Sequence, residues 1–408
     1  MTVAPTDPFR RVAPLAAAAA RIEADRCLYC YDAACARACP TGIDVPGFIR
    51  KIATGNVAGA ARTILAANPL GGTCGAVCPV ERLCEGACVR SGLDRPIAIG
   101  RLQQGAVDAY AAAGEPFFTP GADAGVSAAI VGAGPAGLAC AAELRKAGVA
   151  VTVLDEAPRA GGLADHGIVP WRMDRTGIAR EAAEVERAGA TFVLGTGVTR
   201  VTAPDLLARH DAVVVALGLG RSEPLGVTGE GLHGVVDALV VIRAAIDALP
   251  GAEPIIGRRV GVIGGGSTAF DAAAAAVKLG AEEVTLFYRR TQAETPAYPH
   301  AIELARELGV HLRWLAAPTA ISGDGKVERV TFMRMALGDP DASGRRRPVP
   351  IEGSNFDVAL DIVIRAVGQG APSGAAAVLD ALGVPLRDGV VAADAATGRT
   401  TNAKVWAI

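Results

Sequence analysis

Apolar and polar residues follow two different patterns along the chain. Residues 1–125 have helix-like punctuation and few runs of β-branched residues, which predicts a small helical domain. We predict one helix over residues 16–24 and another that begins at Val45 and is capped by Asp44. Residues 114–125 are rich in glycine and proline and predict a linker.

After residue 125 the pattern becomes apolar strand, glycine-rich turn, helix and second strand, first over residues 126–156 and again over residues 258–290. Two further apolar stretches, residues 210–220 and 356–370, end in glycine and indicate buried parallel strands whose carboxyl ends face a ligand. Because the second stretch lies beyond the second unit, we predict that one nucleotide-binding domain is inserted in another.

These patterns predict a fold class and domain boundaries. A helical, ferredoxin-like Fe–S domain is followed by an α/β region with two nested Rossmann-like domains. The boundaries are 1–125 for the helical domain, 126–250 and 355–408 for the first nucleotide domain, and 251–354 for the inserted domain. A chain of 408 residues with 51% hydrophobic content is long enough to fill such cores.

The charge balance excludes several classes of partner. The chain has 40 basic and 42 acidic residues and a net charge of −2, so nothing indicates nucleic acid or an anionic membrane surface. The basic run Arg345, Arg346 and Arg347 is typical of a solvated turn. No stretch of about 18 apolar residues predicts a membrane span. We therefore expect a cytoplasmic protein, in a compartment that keeps thiols reduced.

Eight of the nine cysteines lie in one short stretch. They follow the spacings C-x2-C-x4-C-x3-C-P and C-x3-C-P-x4-C-x3-C, at Cys27, Cys30, Cys35, Cys39, Cys74, Cys78, Cys84 and Cys88. Thiols bunched in this way in an enzyme-like chain favour metal binding over a disulfide framework.

The spacing also bears on which metal is bound. Zinc usually takes two CxxC pairs, whereas staggered groups that contain Cys-Pro resemble the ferredoxin pattern, in which the cysteine before proline binds the other cluster. A pair of [4Fe–4S] clusters is therefore favoured, with zinc or a redox-sensing thiol array as alternatives. Two clusters in one small domain indicate electron transfer.

The first glycine-rich turn has the context of a dinucleotide site. Gly132, Gly134 and Gly137 follow an apolar strand and open a helix, and Asp155 ends the next strand about 20 residues on. Such glycines let the backbone approach a pyrophosphate at a helix N-terminus, and the carboxylate accepts hydrogen bonds from a ribose. Cys140, inside the helix, is typical of a small buried side chain.

The second turn differs at the end of its second strand. Gly264, Gly266 and Ala269 form the turn, and the next strand ends in Arg289 and Arg290 where the first ended in an acid. Arginines there accommodate a 2′-phosphate, so NADPH is favoured, with NADH as the alternative.

With these motifs in hand, the chain resembles the electron-input module of dihydropyrimidine dehydrogenase, most closely its free-standing bacterial small subunit. It is similar, more distantly, to the small subunit of glutamate synthase. The stretches that support the resemblance are CLYCYDAACARACPTGIDVPGFI, NPLGGTCGAVCPVERLCEGACVRSGLDRPIAIGRLQQ, GAGPAGLACAAEL, VTVLDEAPRAGGL and GGGSTAFD with YRR. The five-residue gap between Cys78 and Cys84, with IGRLQ, favours the pyrimidine family.

The resemblance implies a ligand set that counting cysteines does not suggest. One cluster takes Cys27, Cys30, Cys35 and Cys88, and the other takes Cys39, Cys78, Cys84 and Gln104. Cys74 is then a spare thiol. Read without the resemblance, Gln104 is an ordinary amide on a helix face.

The resemblance also implies nucleotide contacts. For FAD these are Gly132, Gly134, Pro135, Ala136, Gly137, Asp155, Gly162, Leu163 and Arg172. For NAD(P)H they are Gly264, Gly266, Ser267, Thr268, Arg289 and Arg290. Ser267 stands where the family usually has Asn or Asp, and His300 where it usually has an acid. Chains of this plan continue from a strand like residues 404–408 into a Gly-Asp turn that holds the flavin, so we interpret this sequence as lacking that segment.

These features imply that NAD(P)H reduces FAD, which passes single electrons through the two clusters; no acid or base residue is needed for this half-reaction. The resemblance implies a hetero-oligomer in which a partner flavoprotein reduces uracil or thymine at the 5,6 bond. Electron supply to the large subunit of glutamate synthase is one alternative. A non-catalytic Fe–S scaffold or sensor is another.

Overall fold

The computed structural model describes residues 8–9, 13–247, 255–342, 344–387 and 389–408. Its residues form two compact units. One takes the described residues within 11–165, 170–218 and 374–408, and the other takes those within 1–10, 166–169 and 219–373. The domain boundary expected at residues 250–251 lies outside the described residues.

Helices dominate the segment up to residue 112. The helices that begin at Val45 and Val57 have side-chain caps. Asp44 accepts a hydrogen bond from Gly47 N at 3.0 Å, and Asn56 accepts one from Gly59 N at 2.8 Å. Their apolar faces bury Phe48, Ile64 and others in one core. The helices are α1 (Ala17–Asp25), α2 (Ala34–Arg37), α3 (Val45–Ala53), α4 (Val57–Ala67), α5 (Gly71–Val77) and α6 (Ile99–Ala112), with 3₁₀ turns at Val80–Arg82 and Val89–Gly92. The helices expected at residues 16–24 and after Asp44 are confirmed.

The next segment builds the first parallel sheet. Its elements are β1 (Ser127–Val131), α7 (Pro135–Lys146), β2 (Ala150–Asp155), α8 (Leu163–His166), α9 (Thr176–Arg187), β3 (Thr191–Leu194), α10 (Ala203–Arg209) and β4 (Ala212–Val215). Strands β1 and β4 are buried over most of their length, as parallel strands covered on both faces require, whereas the edge strand β3 has exposed and half-buried residues only.

The second unit contains a parallel sheet and an antiparallel sheet. Its elements are β5 (Arg221–Ser222), β6 (Val235–Asp237), α11 (Ala238–Asp247), β7 (Arg259–Ile263), α12 (Ser267–Lys278), β8 (Glu283–Tyr288), a 3₁₀ turn (Gln292–Glu294), α13 (Pro299–Glu307), β9 (His311–Trp314), β10 (Ala316–Ser322), β11 (Arg329–Pro340), β12 (Arg346–Pro350), β13 (Phe356–Ala359), β14 (Ile362–Arg365) and β15 (Gln369–Gly370). Strand order in its parallel sheet is β6-β14-β7-β8-β9, and β10, β11, β12 and β13 pair antiparallel.

The chain then returns to the first unit through α14 (Ala375–Ala381), β16 (Leu386–Arg387), β17 (Val390–Val391) and β18 (Val405–Ala407). Strand β18 pairs parallel with β4, so the first sheet has the order β18-β4-β1-β2-β3. Across the described residues, every helix is too short or too polar to cross a lipid bilayer.

The inserted segment is wider than the 251–354 expected. It extends over residues 219–373, because β6 and β14 both belong to the second parallel sheet, with β14 paired to β6 on one side and β7 on the other. The stretch 356–370 is therefore not one strand of the first domain. It contains the antiparallel strand β13 and the parallel strand β14.

Candidate functional site

Four thiols gather around α1, α2 and the turn at Val89–Gly92. Cys27 and Cys30 follow α1, Cys35 lies in α2, and Cys88 precedes the turn. Burial and then the neighbouring Cys88 and Cys27 thiols raise the pKa of Cys35 to about 11. Burial, Cys30 and Cys88 likewise raise the pKa of Cys27, although the Tyr29 backbone opposes them. These are the four cysteines predicted to hold one cluster.

A second group of thiols surrounds α5. Burial raises the pKa of Cys78 to about 11, with further increases from Cys74 and Cys39. Burial, then Glu85 and Cys78, raises the pKa of Cys84 to about 12. Cys35 thus has Cys27 and Cys88 as neighbours, and Cys78 has Cys39 and Cys74. Which of these thiols bind each cluster stays a prediction.

Cys39 differs from the other thiols. Burial favours its neutral form, but hydrogen bonds from the Thr41 hydroxyl and from the backbone of Ile43 and Thr41 together lower the pKa of Cys39. The Thr41 Oγ1 and Cys39 Sγ atoms are 3.4 Å apart. A thiolate already held by backbone donors is suited to bind a metal cluster.

Gln104 and Cys74 both lie where α5 packs on α6. The two helices approach so closely that a Cβ on Gly75 would be 2.7 Å from the Gln104 backbone nitrogen. Gln103 is buried and donates to Gly71 O at 2.7 Å, whereas the half-buried Gln104 makes no side-chain hydrogen bond within the described part of the chain. That the Gln104 amide is the fourth ligand of the second cluster stays a prediction.

The donor set fits iron–sulfur clusters. All nine cysteines are free thiols. Within the described residues, no three His, Cys, Asp or Glu side chains converge on the position of a single metal ion. Desolvated thiols release their protons when they bind a metal, so the raised pKa values describe the groups before metal binding.

The first glycine-rich turn joins β1 to α7. Gly132 has φ +116°, and a Cβ there would be 2.1 Å from Ala216 O. A Cβ on Gly137 would be 1.9 Å from Gly132 O. Gly134 is the N-cap of α7, where Pro135 and Ala136 follow, and a Cβ on it would meet only Gly162 Cα, 3.9 Å away. The turn is thus closed on its inner side and open at Gly134, as a pyrophosphate site requires.

Of the other predicted FAD residues, Asp155 and Gly162 contact this turn. Asp155 ends β2, and its carboxylate accepts hydrogen bonds from Ala133 N at 2.7 Å and Ala157 N at 2.8 Å. It thereby holds the turn and keeps further lone pairs for a ribose. Gly162, at φ +53°, faces Gly134, and Leu163 begins α8. Arg172 is half-buried, and its contact with FAD stays a prediction.

The second glycine-rich turn joins β7 to α12 and faces a cavity of about 740 Å³. Gly264 has φ +151°, and a Cβ there would be 2.2 Å from Ala366 O. No atom lies within 4 Å of a Cβ placed on Gly266, the N-cap of α12, so this backbone is open to a ligand. Ser267 and Thr268 begin α12, and Thr268 lines the cavity.

Arg289 and Arg290 both line the cavity but differ in their surroundings. Arg289 is exposed. Arg290 is 6% exposed and donates to Arg346 O at 2.7 Å and to the Asp341 carboxylate at 2.7 Å. The structure thus separates two side chains that the sequence treated as a pair.

Several residues that the sequence analysis did not select also line the cavity. Glu223 and Gln369 line the cavity. Arg345 also lines the cavity, although this residue was expected in a solvated turn. Gln369 lies at the glycine-containing end of the stretch 356–370, which the sequence predicted to face a ligand. Nothing in the local pattern near residue 345 indicates a ligand site.

Two families match the chain. Residues 7–115 match the family described as dihydropyrimidine dehydrogenase domain II, 4Fe-4S cluster. Residues 126–408 match the family described as pyridine nucleotide-disulphide oxidoreductase. The expected fold class is confirmed, as are the cofactors FAD, [4Fe–4S] and NADPH.

Two proteins of Escherichia coli are similar to this chain over most of its length. The chain is 36% identical over 367 residues to a glutamate synthase [NADPH] small chain of Escherichia coli, covering 87% of this chain and 78% of that one. AegA of the same organism, named as an oxidoreductase, is 38% identical over 369 residues, which cover 87% of this chain and 56% of AegA. The chain thus spans little more than half of AegA.

A solved structure supports the fold alone. FprA, an oxidoreductase of Mycobacterium tuberculosis, superimposes with a TM-score of 0.58 at 23% identity, over 69% of this chain and 78% of FprA. The resemblance to the pyrimidine family is supported for the Fe–S domain, whereas over most of its length the chain is similar to glutamate synthase small chains. The chain belongs to the pyridine nucleotide-disulphide oxidoreductase family, in the group that includes the glutamate synthase small chains.

Proposed function

We propose that this chain is the electron-input subunit of a larger oxidoreductase and supplies electrons from NADPH to a separate catalytic subunit. The observation that supports this most directly is the presence, in one chain, of two glycine-rich turns on parallel sheets and two groups of thiols. The chain is an NAD(P)H-dependent flavin and iron–sulfur oxidoreductase subunit.

Each group of residues has a distinct task. The turn at Gly134 would hold the FAD pyrophosphate, the turn at Gly266 would hold that of NADPH, and the two thiol groups would hold one cluster each. FAD, when bound, converts the electron pair of NADPH into single electrons for the clusters. The protein then contributes positions, solvent exclusion and local charge, and no side chain has to act as an acid or a base.

The partner is proposed from two separate observations. The match of residues 7–115 to dihydropyrimidine dehydrogenase domain II supports a partner that reduces uracil or thymine to the 5,6-dihydropyrimidine. The identity of 36% to a glutamate synthase small chain supports, as a second candidate, a glutamate synthase large chain.

Anaerobic purification of the full chain, followed by iron, flavin and nucleotide assays, tests the electron-input function. We expect bound iron with visible absorption and NADPH-dependent reduction of a one-electron dye in the presence of FAD. A protein that binds iron but reduces no dye with added FAD would favour a non-catalytic scaffold or sensor. A zinc-loaded or disulfide-bonded protein would contradict the redox function altogether.

Capture of the native partner separates the two partner candidates. A partner that oxidises the reduced chain in the presence of uracil supports the pyrimidine reaction. One that does so with glutamine and 2-oxoglutarate supports the glutamate synthase reaction. The copurified complex should contain one catalytic partner rather than several unrelated proteins.

A further inference from the structure

The hairpin of β11 and β12 is closed by Asp341. Its backbone nitrogen donates to Arg345 O at 2.7 Å, and its backbone oxygen accepts from Gly344 N at 2.9 Å. The Asp341 carboxylate also accepts a hydrogen bond from Arg345 N at 3.3 Å. Asp341 thus determines where the backbone of Arg345 lies.

Arg290 joins this hairpin to the end of β8. Its Nη2 donates to the Asp341 carboxylate and its Nε donates to Arg346 O, each at 2.7 Å. The Arg290 side chain is only 7% exposed, so its guanidinium is shielded from water, whereas the Asp341 side chain is 24% exposed. Two of the donor groups of this guanidinium are already used within the protein, and they point to the hairpin rather than to a ligand.

Arg345 is brought by this hairpin to the wall of the nucleotide cavity. It lines the cavity together with Arg289, which follows β8, and with the glycine-rich turn that follows β7. In a Rossmann-like sheet the adenosine ribose lies at the carboxyl end of the second strand, which here is β8. The cavity residues Ala366 and Gly368 follow β14 on the opposite side of β7. Arg345 precedes Arg346, whose backbone oxygen is bonded to Arg290 after β8. Arg345 therefore lies on the side of the cavity at the end of β8, not on the side at the end of β14.

We propose that Arg289 and Arg345 bind the 2′-phosphate of NADPH, and that Arg290 and Asp341 are positioning residues that hold Arg345 in place. This inference rests on the proposed use of NADPH. Two guanidinium groups from separate segments of the chain can surround a phosphate dianion with charge-assisted hydrogen bonds. Nucleotide selectivity then depends on a hairpin more than 50 residues after the glycine-rich turn.

Equilibrium binding of NADP⁺ and NAD⁺ to the purified full chain tests the role of Arg345. Arg345→Ala should weaken NADP⁺ binding by about 10- to 100-fold, since a lost charged hydrogen bond has effects of that order. NAD⁺ binding should change by no more than about twofold, because NAD⁺ lacks the 2′-phosphate. The matched control is Arg347→Ala, because Arg347 belongs to the same basic run, is exposed and does not line the cavity.

An Asp341→Asn variant tests the positioning role. If Asp341 acted only through its negative charge, its removal would tighten NADP⁺ binding. If it positions Arg345, its removal should weaken NADP⁺ binding and spare NAD⁺ binding. Tighter NADP⁺ binding in this variant would show that Arg290, once released, is the phosphate ligand, and would overturn the inference.

Further outcomes separate this inference from the proposed function. An Arg345→Ala chain with normal NADP⁺ binding, or with equal losses for both nucleotides, would overturn the role of Arg345 alone. A wild-type chain that binds neither nucleotide would contradict the proposed function itself. Thermal melting of each variant verifies that it is folded before binding is compared.

Discussion

Neighbouring residues of identical type have unlike roles in this protein. Arg289 and Arg290 follow β8, where successive side chains point to opposite sides. One is therefore exposed at the cavity and the other buried against the hairpin. Both were expected to bind the 2′-phosphate, whereas only Arg289 is exposed at the cavity.

Either Gln104 or Cys74 provides the fourth ligand of the second cluster. We expect Gln104→Ala to change the spectrum or potential of one cluster, because the resemblance assigns that amide to iron. Cys74→Ala should keep its full iron content. Iron analysis and electron paramagnetic resonance of both variants measure this. Loss of iron from the Cys74 variant alone would show that the cluster is bound by four cysteines.

At the scale of elements, each glycine-rich turn rests on a different strand of its own sheet. Gly132 packs against Ala216 O after β4, and Gly264 packs against Ala366 O after β14. A Cβ on the N-cap glycine would meet no atom in the second turn and only Gly162 Cα, at 3.9 Å, in the first. Glycine is thus required at one position for packing and at the other for ligand approach.

Substitutions in the second turn separate these two requirements. Gly266→Ala should leave thermal stability within about 2 °C of wild type, since a Cβ there meets no atom, and should weaken NADP⁺ binding about tenfold or more. Gly264→Ala is the matched control and should destabilise the fold by about 1–3 kcal/mol, because its Cβ would overlap Ala366 O. Unchanged NADP⁺ binding in folded Gly266→Ala protein would place the pyrophosphate elsewhere.

Helix α9 of the first nucleotide domain is tied to the helical segment by charged groups. Glu181 accepts hydrogen bonds from Gly72 N at 2.9 Å and Thr73 N at 3.1 Å, at the start of α5. Arg180 pairs with Asp108 on α6 at 3.1 Å. Burial raises the pKa of Glu181 to about 7, despite the hydrogen bonds from Thr73 and Gly72.

The pKa of Glu181 predicts a dependence of stability on pH. Because the folded pKa lies above the unfolded value of 4.5, Glu181 contributes most below pH 4.5 and its contribution is lost as pH rises to about 7. Between pH 5 and 8 the wild type should lose about 1–3 kcal/mol of unfolding free energy relative to Glu181→Gln, which mimics the protonated form. Denaturant melts at several pH values measure this. Parallel curves for the two proteins would show that Glu181 does not titrate in this range.

At the scale of the whole molecule, the thiol groups and the nucleotide turns lie in different segments of the chain. Breakdown of the clusters by oxidation and removal of the iron should therefore abolish electron transfer to one-electron acceptors that use the clusters. NADPH-dependent reduction of a two-electron quinone should persist in FAD-supplemented protein. Circular dichroism verifies that the iron-free chain is folded. Loss of both activities from folded protein would show that the clusters take part in the flavin step.

Local patterns in the sequence determined the fold class, the helical cysteine segment, both glycine-rich turns and the strands after them. These features depend on residue spacing and on backbone conformations that glycine permits, so neighbouring residues suffice to specify them. The sequence also predicted that Arg289 and Arg290 follow the end of a strand, because the apolar run before them defines where that strand ends.

Only the tertiary structure decided which strands share a sheet and which distant side chains meet. Strand β14 lies about 100 residues after β7 and pairs with it, so the inserted segment is wider than local patterns indicated. The bonds from Arg290 to Asp341 and from α9 to α5 also join residues far apart in sequence. Such contacts depend on three-dimensional packing, and neither hydrophobic spacing nor motif length specifies them.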